Sequence, residues 1–208
     1  MASEYLSIVF ASVFIIILTL LHFLKRELNP SWRMISEYEI GRFGWLMRSA
    51  FFFWGASVLA LLISIWPSLQ PISGTISGWW LVLIVMALFG AGIFKTDPIT
   101  ENTTHWVNTI HAVCGTIVIL TFPIAATLAV GSLLHNPLWS ASQSQVIFGT
   151  VLTWVGVVAF FASILISRAI DPAEGRVGPH VYLGWPNRFM VVTYVIWLII
   201  IAVAALRL

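Results

Sequence analysis

The side chains that could do chemistry in this sequence are its charged residues, which are concentrated in three short segments. The chain has 10 Lys or Arg and 8 Asp or Glu, and all except Glu4 and Arg207 lie in segments 25–48, 95–101 and 168–188. A carboxylate beside a His can exchange a proton or orient a ligand, and an Arg can bind an anionic group through two N–H donors. Because acidic residues contribute little to membrane orientation, these acids indicate either ion pairs among the segments or a polar binding pocket.

A stripe of polar residues opens the apolar stretch that follows the second charged segment. Thr104, Asn108, His111 and Gly115 are three or four residues apart and therefore share one face of a helix. His105 lies about 9 Å along the axis and about 120° around it from His111, so these two histidines cannot form a close metal-ligating pair. Hydrogen bonding between helices and a ligand site both fit the stripe.

No recognised catalytic motif accompanies these residues. The sequence has no Gly-rich phosphate loop ending in Lys-Ser or Lys-Thr, no His-Glu-x-x-His and no Gly-x-Ser-x-Gly turn. With one cysteine, Cys114, it has no Cys-x-x-Cys pair either. The sequence therefore predicts neither a metal site nor a cofactor, and it leaves catalysis uncertain. Haem ligated by His22 and His111 is the one cofactor alternative.

The elements that must position these groups are membrane-spanning helices. Hydrophobic residues make up 60% of the chain and charged residues 9%, against about 25% charged in a soluble domain, which excludes a soluble enzyme, a disordered chain and a nucleic-acid-binding domain. Charge-free stretches cover residues 5–24, 49–94, 102–167 and 189–206. Since one span needs roughly 20 apolar residues, the two long stretches hold two spans each. We expect an all-α, six-helix bundle forming a single domain, residues 1–208, with spans near 5–24, 46–66, 78–95, 105–133, 145–168 and 188–207.

The basic residues also predict an orientation for the bundle. Six spans put the three charged segments on one side of the membrane, with every Lys and Arg except Arg207. Basic residues are enriched in cytoplasmic loops, so we expect both termini on the non-cytoplasmic side. The expected location is the cytoplasmic (inner) membrane.

Four short sequences in these segments resemble a known family. They are LNPSWRMISEY at residues 28–38, GRFGWLM at 41–47, FKTDP at 94–98 followed by His105 or His111, and GWPNR at 184–188. In this order they are similar to bacterial membrane proteins of the domain of unknown function 998 family, over nearly the whole chain. The resemblance implies a six-helix membrane protein and no established reaction. The family commonly has Gly then His shortly after Asp-Pro, whereas here Thr104 precedes His105.

Topology and resemblance together indicate a candidate site on the cytoplasmic side. Its residues come from three loops that six spans place on one face of the membrane: Ser36, Glu37, Tyr38, Asp97, His105, His111, Asn187 and Arg188. We expect them to form a cavity that binds a lipid headgroup or small amphiphile, with Arg188 contacting an anionic group. Two alternatives stay open: a non-catalytic accessory subunit of a larger membrane complex, and a lipid-acting enzyme in which Ser36 or a metal-bound water attacks an ester. Membrane lipids are the expected partners, and nucleic acid is not.

Overall fold

The computed structural model describes residues 1–100, 105–170 and 178–208. These residues form six helices long and apolar enough to cross a membrane. The helices are α1 (Ala2–Leu24), α2 (Gly44–Ile65), α3 (Ile72–Ile93), α4 (Trp106–Leu133), α5 (Gln143–Ile170) and α6 (Gly184–Ala205). Short 3₁₀ helices lie at Ile35–Glu39, Trp66–Ser68 and Pro137–Ser142. The predicted all-α, six-helix membrane bundle is confirmed.

The starts of α3 and α6 lie furthest ahead of the positions that the sequence indicated. We predicted starts at 78 and 188, but α3 starts at Ile72 and α6 at Gly184. Pro71 precedes α3 directly, and Pro186 occupies the third position of α6. The first N–H groups of a helix have no partner within it, so a proline there costs no hydrogen bond.

The six helices pack in a ring, each beside its neighbours in sequence. The ring closes between α1 and α6, and α6 also contacts α2. Small polar side chains bond across three of the contacts: Ser7 to the Ser57 carbonyl, Ser77 to the Ala125 carbonyl, and the Trp197 indole to Thr150. Such bonds are typical of helix association in a membrane, where burial of apolar surface supplies little driving force.

Helices α4 and α6 are joined across the middle of the bundle by aromatic rings. Phe122 stacks on Tyr194 with 4.5 Å between centroids, and Trp197 packs edge-on against Phe122. From the sequence, a proline at position 123 is expected to kink the fourth helix or to shorten its regular part. The helix is not shortened, since α4 continues beyond Pro123 to Leu133. Proline at 123 leaves the carbonyl of Ile119 without its usual N–H donor. The Tyr194 hydroxyl replaces that donor at 2.8 Å.

The end of the bundle that carries segments 25–43, 94–100 and 178–183 is called the basic end below. Hydrogen bonds tie these segments together, including Gly184 N–H to the Ser31 carbonyl and Ile99 N–H to Glu37. A Cβ on Gly184 would strike the backbone of Pro30 and Trp32, so only glycine lets segment 25–43 lie on the start of α6.

Candidate functional site

Segment 25–43 folds over the helix ends and is held by Lys25. The Lys25 ammonium is buried and donates to the carbonyls of Tyr38 and Ile40. Burial lowers the pKa of Lys25, and Glu27, 3.9 Å away, opposes that shift. The group therefore serves the folding of the segment.

Arg188 is the main link between this segment and the bundle. Its Nε donates to His22 Nε2 at 2.7 Å, and one terminal nitrogen donates to the Tyr38 hydroxyl at 2.8 Å. The other terminal nitrogen donates to the carbonyls of Arg33 at 2.7 Å, Gly184 at 2.9 Å and Pro30 at 3.3 Å. Four of the five guanidinium N–H donors are thus used inside the protein, and the side chain is buried.

Glu37 fastens segment 25–43 to the loop after α3. Its carboxylate accepts from Ile99 N–H at 3.0 Å and Met34 N–H at 3.0 Å, and Arg33 lies 3.2 Å away. Complete burial raises the pKa of Glu37, while these donors and Arg33 oppose the shift. Every strong contact of Glu37 is made within the basic end, which is typical of a residue that fixes two loops together.

Glu39 and His111 form a second buried contact between segments. One oxygen of Glu39 accepts from Thr96 N–H at 3.2 Å and lies 3.7 Å from His111 Nδ1, too far for a hydrogen bond. Burial raises the pKa of Glu39 to about 8, so this carboxyl is protonated at neutral pH. His111 Nδ1 lies 2.8 Å from the Phe94 carbonyl. A carbonyl only accepts, so Nδ1 carries the proton and Nε2 is left as an acceptor.

Asp97 and Asn108 organise the loop between α3 and α4. One oxygen of Asp97 accepts from the backbone N–H of His105 and lies 3.1 Å from its ring nitrogen Nδ1. The backbone N–H of His105 is the main cause that lowers the pKa of Asp97, which is therefore ionised at neutral pH. The Asn108 side-chain oxygen accepts from the Thr96 hydroxyl and the Asp97 N–H.

A cavity of about 430 Å³ lies between α2, α3, α4 and α6 beneath these loops. Four of the eight predicted site residues line it: Ser36, Asp97, His111 and Asn187. The other four do not: Glu37, Tyr38, His105 and Arg188. Arg188 faces segment 25–43 because the guanidinium is drawn to its carbonyls, so the predicted contact with an anionic ligand has no support in this geometry.

The cavity joins a polar mouth to an apolar wall. The lining on α4 runs from Asn108 to Ile119, which corresponds to about 16 Å of helix. Polar groups line the mouth, whereas the deeper part is lined mainly by apolar and aromatic side chains, with Thr116 beside them. The deep residues are Phe51, Trp54, Leu88, Val118, Ile119, Met190, Val191 and Tyr194. The stack of Tyr194 on Phe122 lies at the deep end.

Three polar atoms around the cavity have no hydrogen-bond partner among the described residues, and one of them, the indole nitrogen of Trp54, is buried. Asn187 accepts from Ile35 N–H through its oxygen, which leaves its amide nitrogen free. The indole nitrogen of buried Trp54 is unpaired, and His111 Nε2 makes no bond to a described residue. Buried polar groups are nearly always paired, so the Trp54 indole, with the free nitrogens of His111 and Asn187 on two other helices, indicates room for a polar ligand or water.

The cofactor alternatives gain no support from the described residues. Both ring nitrogens of His22 are engaged, Nδ1 with the Leu18 carbonyl and Nε2 with Arg188. His22 does not line the cavity beside His111, and haem ligation by this pair stays a prediction. Residues 1–100, 105–170 and 178–208 contain no group of three His, Cys, Asp or Glu placed to hold a metal ion.

Some residues of this site were not predicted from the sequence. Trp54 and Tyr194 carry no polar pattern that separates them from the other aromatic residues of the spans. A usable signal did exist for Tyr194, since any proline inside a helix frees a carbonyl four residues earlier. Glu39 stood out as an acid without a topological role, but its contact with His111 depends on how the loops fold.

Comparison with known proteins gives the family and nothing finer. No curated protein and no solved structure matches the chain. A family model matches residues 8–204, nearly the whole chain. The motifs at residues 28–38, 94–98 and 184–188 lie within this match and build the basic end described above. The chain belongs to the family described as protein of unknown function (DUF998).

Proposed function

We propose that this protein binds an amphiphile in the cavity under the basic end, with the polar head at the mouth and one alkyl chain along the apolar wall. The observation that carries the proposal is the combination of unpaired polar atoms on His111, Asn187 and Trp54 with a deep apolar lining. Ligand sites are mainly apolar cavities with a few convergent polar groups. The volume of about 430 Å³ lies within the usual range for such sites, roughly 300–1,000 Å³.

The surrounding contacts support a preformed cavity. Arg188 and Glu37 fix segment 25–43 above the mouth, and Tyr194 fixes the spacing of α4 and α6 at the deep end. A site that is rigid before binding loses less conformational entropy when the ligand enters. The ion-pair network and the cavity, which were alternatives on sequence grounds, are therefore compatible: the network builds the walls.

We infer that the basic end faces the cytoplasm and that the protein resides in the cytoplasmic (inner) membrane. The support is the charge distribution, since Lys25, Arg42 and Lys95 belong to the basic end and the opposite end carries Arg207 alone among the basic residues. In this orientation the mouth of the cavity opens near the cytoplasmic headgroups, where a membrane amphiphile could enter.

A matched pair of glycine variants tests the proposal. Gly115 and Gly131 both lie in α4, and a Cβ at either position meets no atom within 4 Å. Gly115 lines the cavity, whereas Gly131 is exposed and does not. Gly115→Leu therefore fills the cavity, and Gly131→Leu adds the same side chain elsewhere.

The measurement is native mass spectrometry of each protein after extraction in a mild, uncharged detergent. We expect wild type and Gly131→Leu to retain a bound amphiphile at one per chain and Gly115→Leu to lose it. Equal amphiphile content in all three proteins would overturn the proposal. If stoichiometric protein subunits were retained instead, the accessory-subunit alternative would be favoured. Conversion of an added lipid ester that is lost with Ser36→Ala would favour the enzyme alternative.

A further inference from the structure

The lining of the cavity carries one carboxylate, which His105 contacts from outside the lining. Asp97 is the one carboxylate among the described lining residues, which include no Lys and no Arg. One oxygen of Asp97 is held by His105, and its other oxygen has no hydrogen-bond partner among the described residues. Asp97 forms no ion pair with a described Lys or Arg. The mouth therefore offers a carboxylate oxygen to whatever binds there.

Several cations of the basic end are already occupied by backbone carbonyls. Arg188 donates to three carbonyls, Lys25 to two, and Arg48 to the carbonyls of Gly92 and Ile93. Each of these side chains caps or fastens a helix end, so none of them is aimed at the cavity. An anionic head placed beside Asp97 would meet like charge with no compensating cation in the described lining.

Two of the remaining free groups at the mouth can accept from a hydrogen-bond donor, whereas the Asn187 amide nitrogen can only donate. His111 Nε2 is an acceptor because Nδ1 carries the proton, and the Ser36 hydroxyl has no partner among the described residues and can accept. A protonated primary amine has three donors and one positive charge. It matches the free oxygen of Asp97 and these acceptors better than a phosphate or carboxylate does.

We propose that the head recognised at the mouth is a protonated amine carried on an alkyl chain, with Asp97 as its counter-ion. This inference rests on the proposed function, since it names the ligand class of the same cavity. The apolar wall, from Phe51 and Trp54 down to Tyr194, favours an amine with a long chain over a small soluble amine. A soluble amine has no group to cover that wall.

The test compares four probes on the full-length protein in uncharged detergent: dodecylamine, dodecanol, dodecanoate and ethylamine. Native mass spectrometry counts adducts of one probe per chain. Only adducts lost in Gly115→Leu and kept in Gly131→Leu are assigned to the cavity. Asp97→Asn removes the charge and keeps an oxygen that can accept from His105. Glu27→Gln is the matched control, because it removes one negative charge from the same end at an exposed residue outside the cavity lining.

We expect wild type to bind dodecylamine at least about tenfold more tightly than dodecanol or dodecanoate, and ethylamine not measurably. A charge-assisted hydrogen bond has the strength for a difference of this size. Asp97→Asn should lower the affinity for dodecylamine about tenfold, and Glu27→Gln should leave this affinity unchanged. The preference of wild type for dodecylamine over dodecanoate does not depend on Asp97→Asn, so the inference stays testable if that variant fails to fold.

Two results separate failure of this inference from failure of the proposed function. If dodecanoate or dodecanol binds the cavity as tightly as dodecylamine, or Asp97→Asn folds and keeps the preference, the amine assignment is overturned and amphiphile binding stands. If ethylamine binds as tightly as dodecylamine, the chain has no role and the long-chain assignment is overturned. If no probe gives an adduct sensitive to Gly115→Leu, both proposals fail.

Discussion

Tyr194→Phe should destabilise this protein mainly because a proline lies in the facing helix. Pro123 has no N–H, so the carbonyl of Ile119 lacks a donor within α4, and the Tyr194 hydroxyl supplies one at 2.8 Å. Phenylalanine keeps the ring that stacks on Phe122 and removes only the hydroxyl. The variant therefore removes the Tyr194 donor from a partly buried carbonyl next to the cavity.

The magnitude follows from the cost of an unpaired buried group. Loss of the Tyr194 donor to the Ile119 carbonyl should cost about 1–3 kcal/mol of unfolding free energy. In a Pro123→Ala background the alanine N–H can bond to that carbonyl, and Tyr194→Phe then removes a second donor whose loss costs less. We expect a coupling energy on the order of 1–2 kcal/mol between the two positions.

The assay is equilibrium or thermal unfolding of wild type, both single variants and the double variant in one detergent. Tyr182→Phe serves as the control because Tyr182 is 64% exposed. This variant should change the unfolding free energy of the protein by less than about 0.5 kcal/mol. If Tyr194→Phe costs the same in both backgrounds within about 0.5 kcal/mol, the Tyr194 hydroxyl does not compensate for Pro123 and the reasoning is refuted.

Three further predictions concern the basic end. Arg188→Lys keeps the charge but loses most of the donors to segment 25–43, and should cost about 2–4 kcal/mol of stability, whereas Arg168→Lys at an exposed site should cost little. Folded Glu39, with its pKa near 8, holds a proton that the unfolded chain releases above the ordinary value of 4.5. The unfolding free energy of wild type should therefore fall as the pH rises from 4.5 to about 8, by up to about 1.4 kcal/mol per pH unit. Glu39→Gln should lack this pH dependence. In a cysteine-free background, Lys95→Cys should react with an impermeant thiol reagent only from the cytoplasmic side and Gln145→Cys only from the opposite side.

Each of these predictions has a result that contradicts it. Equal melting temperatures for Arg188→Lys and wild type would mean that the guanidinium contacts add nothing to stability. Parallel stability–pH curves for wild type and Glu39→Gln would mean that the carboxyl is ionised in the folded state as it is in the unfolded chain. Labelling of Lys95→Cys and Gln145→Cys from the same side would contradict the six-span orientation.

The helices could be predicted because hydrocarbon imposes a strong rule on the sequence. Each unpaired backbone group is costly in the bilayer, so a span must be a helix of roughly 20 apolar residues. Charge-free stretches and their turns therefore gave six spans. The predicted starts of α3 and α6 were too late. Proline is tolerated directly before a helix or in its first turn, as at Pro71 and Pro186, so a proline in the sequence does not show whether a helix ends or begins there.

The site was only partly predictable because its side chains face directions that spacing does not determine. The loops that hold the candidate residues do meet at one end, as charge sorting indicated. Whether Arg188 points into the cavity or toward carbonyls depends on the path of segment 25–43 over α6. That path is set by contacts such as Gly184 with Pro30, which are more than 150 residues apart in the chain and leave no periodic signal.

The decisive measurement is where on the protein a bound amphiphile lies, because we propose that it occupies the cavity under the basic end. A single-chain probe with a photoreactive group in its tail would be cross-linked to the protein, and the labelled peptides identified by mass spectrometry. We expect labelling at cavity residues such as Val118 and Met190, lost in Gly115→Leu and kept in Gly131→Leu. Labelling confined to the exposed outer face of α5, at Val158 and Leu165, and equal in both variants would contradict the proposal.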